Sequence, residues 1–189
     1  MLLQNEVEYF NPDEAARRIL ATNPGMRLEN ANSAAWQQGK RLLERAIAER
    51  SDFVFETTLG GQTIASLRKQ ALYEKIEVRI WFVGLVSPNL HIARVRARVA
   101  SGGHDIPEAK IRERYDRSRL NLVDLLPHLT ELRLYDNSED SDPQSGIEPE
   151  PELLLHLEGG RIVSHCDLRA IPDWAKPILA AALKLSNGS

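Results

Sequence analysis

The stretch that decides the fold runs Val78-Arg-Ile-Trp-Phe-Val-Gly84-Leu-Val-Ser-Pro88 and continues through Asn89–Ala100. Val78–Val83 is rich in β-branched and aromatic residues and reads as a strand. Glycine, serine and proline then interrupt it, and Asn89–Ala100 reads as a helix. The same alternation recurs on both sides. Val7–Phe10 is a short strand before a helix over Pro12–Ala21, with Asn11 as N-cap, Pro12 at the first position, and Asp13 and Glu14 in the first turn. Ser33–Arg50 is a second helix, with Trp36, Leu43 and Ile47 on or near one face. Phe53–Phe55 is a strand and Thr63–Tyr73 a helix. Further along come a helix over most of Glu108–Leu126 and a strand at Leu132–Tyr135. A hairpin of Leu153–Leu157 with Arg161–Ser164 turns around Glu158-Gly159-Gly160, and Trp174–Leu185 is a terminal helix. Strands alternating with helices of ten or more residues imply an α/β fold. Its sheet is mostly parallel and flanked by helices, with right-handed crossovers. Two segments read as loops: Thr22–Asn32, with Asn-Pro-Gly and three asparagines, and the acidic, proline-bearing Glu139–Pro151.

The chain has 189 residues, which predicts a single domain, 1–189, large enough to bury a core without staples. Its net charge of −3 gives no support to whole-protein attraction to nucleic acid or to an anionic membrane. The single cysteine, Cys166, makes no internal disulfide and lacks a basic activator. A reducing, cytoplasmic setting is expected. No apolar run reaches the ~18 residues of a membrane span, and the N-terminus has no basic region or apolar core of a signal peptide. His91, His128, His156 and His165 show no ligand spacing, so no metal site is expected.

Ligands of open α/β sheets bind beyond the carboxyl ends of the strands, so the residues after each strand are the candidates. They are Asn11-Pro12-Asp13, then Glu56-Thr57-Thr58-Leu59-Gly60-Gly61, then Gly84 with Ser87-Pro88, and Asp136-Asn137-Ser138. Polar residues are also the ordinary way to end a strand. Asp13 is placed to accept a proton from a substrate hydroxyl, or simply to start a helix. Glu56 is placed to hold a substrate hydroxyl or a metal-bound water, or to bond nearby backbone.

Seven arginines fall between Arg94 and Arg119, at 94, 96, 98, 112, 114, 117 and 119. Arg94 and Arg98 share a helix face. The two groups flank Ser101-Gly102-Gly103-His104-Asp105-Ile106-Pro107, a glycine turn that stiffens at proline. His104 is read as ordering that hinge or touching phosphate. Two arginine-bearing helices on a hinge, about 94–119, form a candidate lid, because guanidinium forks match phosphate oxygens. The alternative is a solvated face paired with Glu108, Glu113 and Asp116.

Taken together and in order, several strings resemble the zeta-toxin-like family of P-loop kinases. They are Asn11-Pro-Asp13-Glu-Ala-Ala-Arg17, Phe55-Glu56-Thr57-Thr58-Leu59, Phe82-Val83-Gly84-Leu85-Val86-Ser87-Pro88, Arg94-Val-Arg-Ala-Arg98-Val99, Gly102-Gly103-His104-Asp-Ile-Pro107, Ile111-Arg-Glu-Arg114-Tyr115 and Tyr135-Asp136-Asn137-Ser138. The likeness spans about Val7 to Ser164. It implies an ATP- and Mg2+-dependent kinase acting on a hydroxyl of a small substrate such as a nucleotide-activated amino sugar, with an antitoxin protein as a partner. By this resemblance Asp13 is the base, Glu56, Thr57 and Thr58 lie at the substrate, and Arg98 and Arg114, with Arg94, Arg112 and His104, grip phosphate from the lid. Asp136 and Asn137 lie near the nucleotide base.

One departure stands out. The family carries a strand, a Gly-x-x-x-x-Gly-Lys-Ser/Thr loop and a helix ahead of the position of Asp13, and no such motif occurs in the 189 residues. Met1-Leu-Leu-Gln4 reads like the tail of that helix, so a βα unit of roughly 25–30 residues is expected to be missing. With it would go the loop amides, the lysine, the magnesium-binding hydroxyl and a central strand. Three readings are open: a kinase whose chain is shortened, a catalytically inactive remnant or partner-binding module, and a nucleic-acid binder. The acidic balance and the lack of aromatic residues among the arginines weigh against the last.

Overall fold

The computed structural model describes residues 7–61, 74–103, 105–139 and 150–188. The expected helix at Thr63–Tyr73, His104, the reading of Met1–Gln4 and most of the acidic segment Glu139–Pro151 lie outside the described residues. The chain divides into two compact units, up to Thr58 and from Leu59 onward.

In the first unit β1 (Glu8–Phe10) leads into α1 (Pro12–Thr22). Asn11 is extended, and its side-chain oxygen accepts from Asp13 N at 2.9 Å and Glu14 N at 3.1 Å. These bonds satisfy two donors that a helix start leaves open, a contribution of about 1 kcal/mol. The next helix, α2 (Leu28–Glu49), starts five residues earlier than the sequence suggests. Arg27 provides no side-chain cap, and Asn30 and Asn32 are poor helix formers. Burial overrides propensity here, because Ala31 and Ala35 are completely buried against Phe10, Ala15 and Ala16. β2 (Phe53–Phe55) runs parallel to β1 with Tyr9 opposite Val54 and Phe10 opposite Phe55. The Phe10 ring lies on Gly39 of α2, where an added Cβ would come within 2.5 Å of it.

The second unit holds a four-stranded sheet in the order β3-β4-β5-β6. β3 (Arg79–Gly84) and β4 (Glu131–Asp136) are parallel, joined through α3 (Pro88–Ala100), α4 (Glu108–Leu125) and a short 3-10 turn at Leu126–His128. β5 (Glu152–Glu158) and β6 (Arg161–His165) add antiparallel neighbours. The expected hairpin is therefore present, and Gly159 and Gly160 both take positive φ, as a two-residue turn of this hand requires. α5 (Lys176–Asn187) ends the fold. Its start is two residues later than expected, because Trp174 and Ala175 sit in the preceding turn.

The fold is mixed α/β with small sheets. The single, mostly parallel sheet read from the sequence is corrected: among the described residues parallel pairing is confined to β1–β2 and β3–β4, and half of the larger sheet's strands join it antiparallel. The core of the second unit is a layer of leucines, among them Leu122, Leu132, Leu134, Leu155 and Leu157, closed by Ile178 and Trp174. The Trp174 ring lies across Gly84, where a Cβ would come within 2.2 Å of it. On the opposite face of β3 Trp81 is 73% exposed.

Candidate functional site

The parallel pairing of β1 and β2 sets their carboxyl ends side by side. Glu56 N donates to Phe10 O at 3.0 Å, which extends the ladder by one bond and fixes where the Glu56 side chain begins. Side chains two apart on a strand share a face. Tyr9 and Asn11 therefore share one, and the Tyr9–Val54 register brings Glu56 to the same side. Three side chains meet there. Asn11 Nδ2 donates to Glu56 Oε2 at 2.8 Å, and Tyr9 Oη donates to Glu56 Oε1. Losing the Tyr9 proton would set a phenolate against that carboxylate, so hydrogen bonding to Glu56 raises the Tyr9 pKa, with donation from Asn11 acting in the opposite direction. Asp13, one turn into α1, is exposed, and its carboxylate has no hydrogen bond or ion pair among the described residues. Thr57 is half-buried and Thr58 exposed beyond Glu56.

The next residue, Leu59, belongs to the second unit. It is buried, adopts a left-handed φ of 52°, and its carbonyl accepts from Asn121 Nδ2 at 2.6 Å. Such a conformation costs a branched residue roughly 1–2 kcal/mol, offset here by placing the side chain in the leucine core.

The exits of β3 and β4 are tied to one another. Asn137 N donates to Gly84 O at 3.0 Å, and Val86 N donates to Ser138 Oγ at 2.7 Å. Ser138 in turn donates to Asp136. From α4, Tyr115 Oη sits 3.1 Å from Leu85 O and 3.0 Å from Val86 O. Asp136 and Asn137, read from the sequence as nucleotide contacts, thus spend a carboxylate oxygen and a backbone N–H on the loop itself.

The arginines divide by what they touch. Arg96 pairs with Glu108, Arg117 with Glu113 at 3.0 Å, and Arg119 with Asp116 while its guanidinium stacks 3.8 Å over the Tyr115 ring. These are the three acidic partners named for the solvated-face alternative. Arg94 is committed to the β4 exit, with Nη1 at 2.7 Å from Asn137 O and Nη2 at 2.8 Å from Glu139 O. Arg112 Nη2 donates to Asn89 Oδ1 at 2.9 Å, which ties α4 to the first turn of α3. Arg98 sits at the end of α3, and its carbonyl accepts from Ser101 N and from Gly103 N at 2.9 Å. An added Cβ at Gly103 would come within 2.6 Å of its Cγ, so the glycine turn and the Arg98 stem are packed together. Arg114 is exposed and has no hydrogen bond or ion pair among the described residues. Partial burial, then Arg94, then Arg98 hold His91 below its ordinary pKa, a sign of the positive field along this helix.

Asp13, Glu56, Thr57 and Thr58 lie in the first unit, and the arginines with Asp136 and Asn137 in the second. Sequence reading missed Tyr9 and the donor end of Asn11, and named Tyr115 and Ser138 without assigning them their contacts. The two-residue spacing of Tyr9 and Asn11 on a strand was a signal for the first two. Among the described residues no group of three or more His, Cys, Asp and Glu has the arrangement of a metal site, and no helix is long and apolar enough to cross a membrane.

No family model matches the chain, and no solved structure does. An uncharacterized protein of Haemophilus influenzae (strain ATCC 51907 / DSM 11121 / KW20 / Rd) is 32% identical over 106 residues, which is 56% of this chain and 73% of that protein. The chain belongs to the same family as that Haemophilus influenzae protein.

Proposed function

We infer that the chain is the substrate- and lid-bearing part of an ATP-dependent phosphotransferase of the zeta-toxin-like kind, acting on a hydroxyl of a small substrate such as a nucleotide-activated amino sugar. The observation that carries this reading is the pair of carboxylates at the adjacent ends of parallel strands. Glu56 is held on both oxygens, whereas Asp13 is exposed and without a partner among the described residues. A fixed carboxylate suits gripping a hydroxyl, and an unencumbered one suits accepting its proton. The resemblance also expects a parallel strand beside β3, and the outer edge of β3 has no strand partner among the described residues.

The residues in hand do not make a complete site for ATP and magnesium. The loop amides, lysine and hydroxyl that cradle a triphosphate do not occur in the 189 residues. We therefore assign no step to ATP. This chain contributes the acceptor end of the reaction, and activity requires the phosphate loop to be supplied with it. The test is transfer of labelled γ-phosphate to a nucleotide-activated amino sugar by a form of the protein that carries such a loop, with Asp13→Asn beside it. Transfer that falls by about 10²-fold or more in Asp13→Asn supports the assignment. Transfer untouched by that change, or none at all, contradicts it.

A second reading, a catalytically inactive module that binds a protein partner, is favoured by one observation. Trp81 and Val83 lie exposed on one face of the edge strand β3, and exposed apolar side chains on an unpaired edge suit strand addition. An antitoxin would be a partner of this class. Absence of phosphotransfer in a form that carries the phosphate loop, together with loss of a co-purifying protein in Trp81→Ser, would favour it.

A further inference from the structure

Asn11 has a feature that helix capping alone does not need. Serine or aspartate would cap α1 equally well through an acceptor oxygen. Aspartate has no donor and serine has one only on the capping oxygen itself, whereas an amide carries its donor on a second, separate atom. The Asn11 side chain uses both ends: Oδ1 accepts from Asp13 N and Glu14 N, and Nδ2 donates to Glu56 Oε2 at 2.8 Å. Turning the amide over would set its NH2 against two backbone donors and its oxygen against a carboxylate, so the network admits one orientation. Tyr9 Oη completes the arrangement on the other Glu56 oxygen and lies 3.5 Å from Asn11 Nδ2.

We propose that Asn11 is a positioning residue that couples the two carboxylates of this site. One end of its amide fixes the helix start that carries Asp13, and the other, with Tyr9, orients Glu56. The use of that coupling in hydroxyl recognition rests on the phosphotransferase reading; the coupling itself does not. Aspartate at position 11 would preserve the cap and place a second carboxylate against Glu56. Serine would preserve the cap and remove the separate amide arm that reaches Glu56, leaving only a short hydroxyl engaged at the helix start.

The test is NMR on the full chain, with Glu56→Ala, Tyr9→Phe, Asn11→Ser and Asn11→Asp. In Glu56→Ala the Asn11 side-chain amide protons should move upfield, the backbone amides of Asp13 and Glu14 should shift with them, and the Tyr9 phenol should titrate lower than in the parent, since its hydrogen bond to Glu56 is what raises it. Asn11→Ser should keep the amide shifts of a capped helix and lower Tm by no more than about 2 °C, yet change the Tyr9 titration. In a phosphotransfer-competent form, Asn11→Ser and Asn11→Asp should lower kcat at least tenfold with less effect on KM. Asn11 amide protons that ignore Glu56→Ala overturn the proposal, whatever the activity. If Glu56→Ala fails to fold, Tyr9→Phe reads the same network through the Asn11 amide, and an unmoved amide there is equally fatal. Coupling that holds in a protein with no phosphotransfer refutes the phosphotransferase reading and leaves the positioning role standing.

Discussion

At the scale of single residues, glycines in tight places and charged groups in shared fields govern behaviour. Gly84 ends β3 under the Trp174 ring, and an added Cβ would fall 2.2–2.6 Å from three ring carbons. The ring is buried, and its Nε1 has no hydrogen-bond partner among the described residues, so it has little freedom to withdraw. Gly84→Ala should destabilise the second unit by about 1–3 kcal/mol, measured by urea unfolding; an unchanged midpoint would show that the ring moves aside freely. His91 supplies an electrostatic gauge on the same unit. Burial, then Arg94 and Arg98, lower its pKa. A base with a depressed folded pKa binds fewer protons in the folded state than in the unfolded one. Stability should therefore fall as pH drops through the ordinary histidine range near ~6.5. Proton NMR should place the His91 midpoint below that of an unfolded histidine, and Arg98→Ala should raise it. A midpoint indifferent to Arg98 would remove Arg98 from the local field.

At the scale of elements, the strand exits show which arginines serve the fold. Arg94 reaches from α3 to two backbone carbonyls after β4, Asn137 O and Glu139 O. Its removal leaves the part-buried Asn137 carbonyl without that donor, hands the exposed Glu139 carbonyl to water, and frees the exit loop. Arg94→Ala should cost about 1–3 kcal/mol by thermal or urea unfolding. Arg94→Lys should recover only part of this, because an ammonium does not present a planar fork. Arg114, exposed and without a partner among the described residues, should behave oppositely: Arg114→Ala should change stability by less than about 0.5 kcal/mol, while phosphotransfer, if that reading holds, should drop. A stability loss at Arg114 equal to that at Arg94 would contradict this division. The strands were legible because their β-branched and aromatic runs end in glycine, proline or asparagine. The hairpin was legible because Gly159-Gly160 is its turn. The first turn of α2 was not, because Asn30 and Asn32 argue against a helix that only the burial of Ala31 and Ala35 can pull into place. In the site, Asp13 and Glu56 were legible because each lies just past the carboxyl end of a strand. The roles of Tyr9 and of the Asn11 donor needed the β1–β2 register, which one strand's sequence does not reveal. The acidic partners of Arg117 and Arg119 were readable three and four residues away on α4, and Arg94's were not, because they are backbone groups 43 and 45 residues distant.

At the scale of the whole molecule, two units share the chain, and each carries part of the polar equipment that the resemblance assigns to one enzyme. The first has the exposed aspartate beside the clamped glutamate. The second has the arginine helices and the cross-tied exits of β3 and β4. A two-stranded sheet such as β1–β2 is marginal by itself, and the outer edge of β3 has no strand partner among the described residues, with Trp81 exposed on that strand. A further strand would remedy such defects, and the phosphate loop comes after a strand in the family that this sequence resembles. The function proposed for the chain is that of the acceptor-and-lid part of a kinase that needs that loop. The most direct measurement is ATP binding by calorimetry, with magnesium present, for the 189-residue chain and for a form that carries a strand, a Gly-x-x-x-x-Gly-Lys-Ser/Thr loop and a helix joined at its N-terminus. The account predicts binding by the extended form and none by the shorter one. Binding by neither, or equal binding by both, would contradict it.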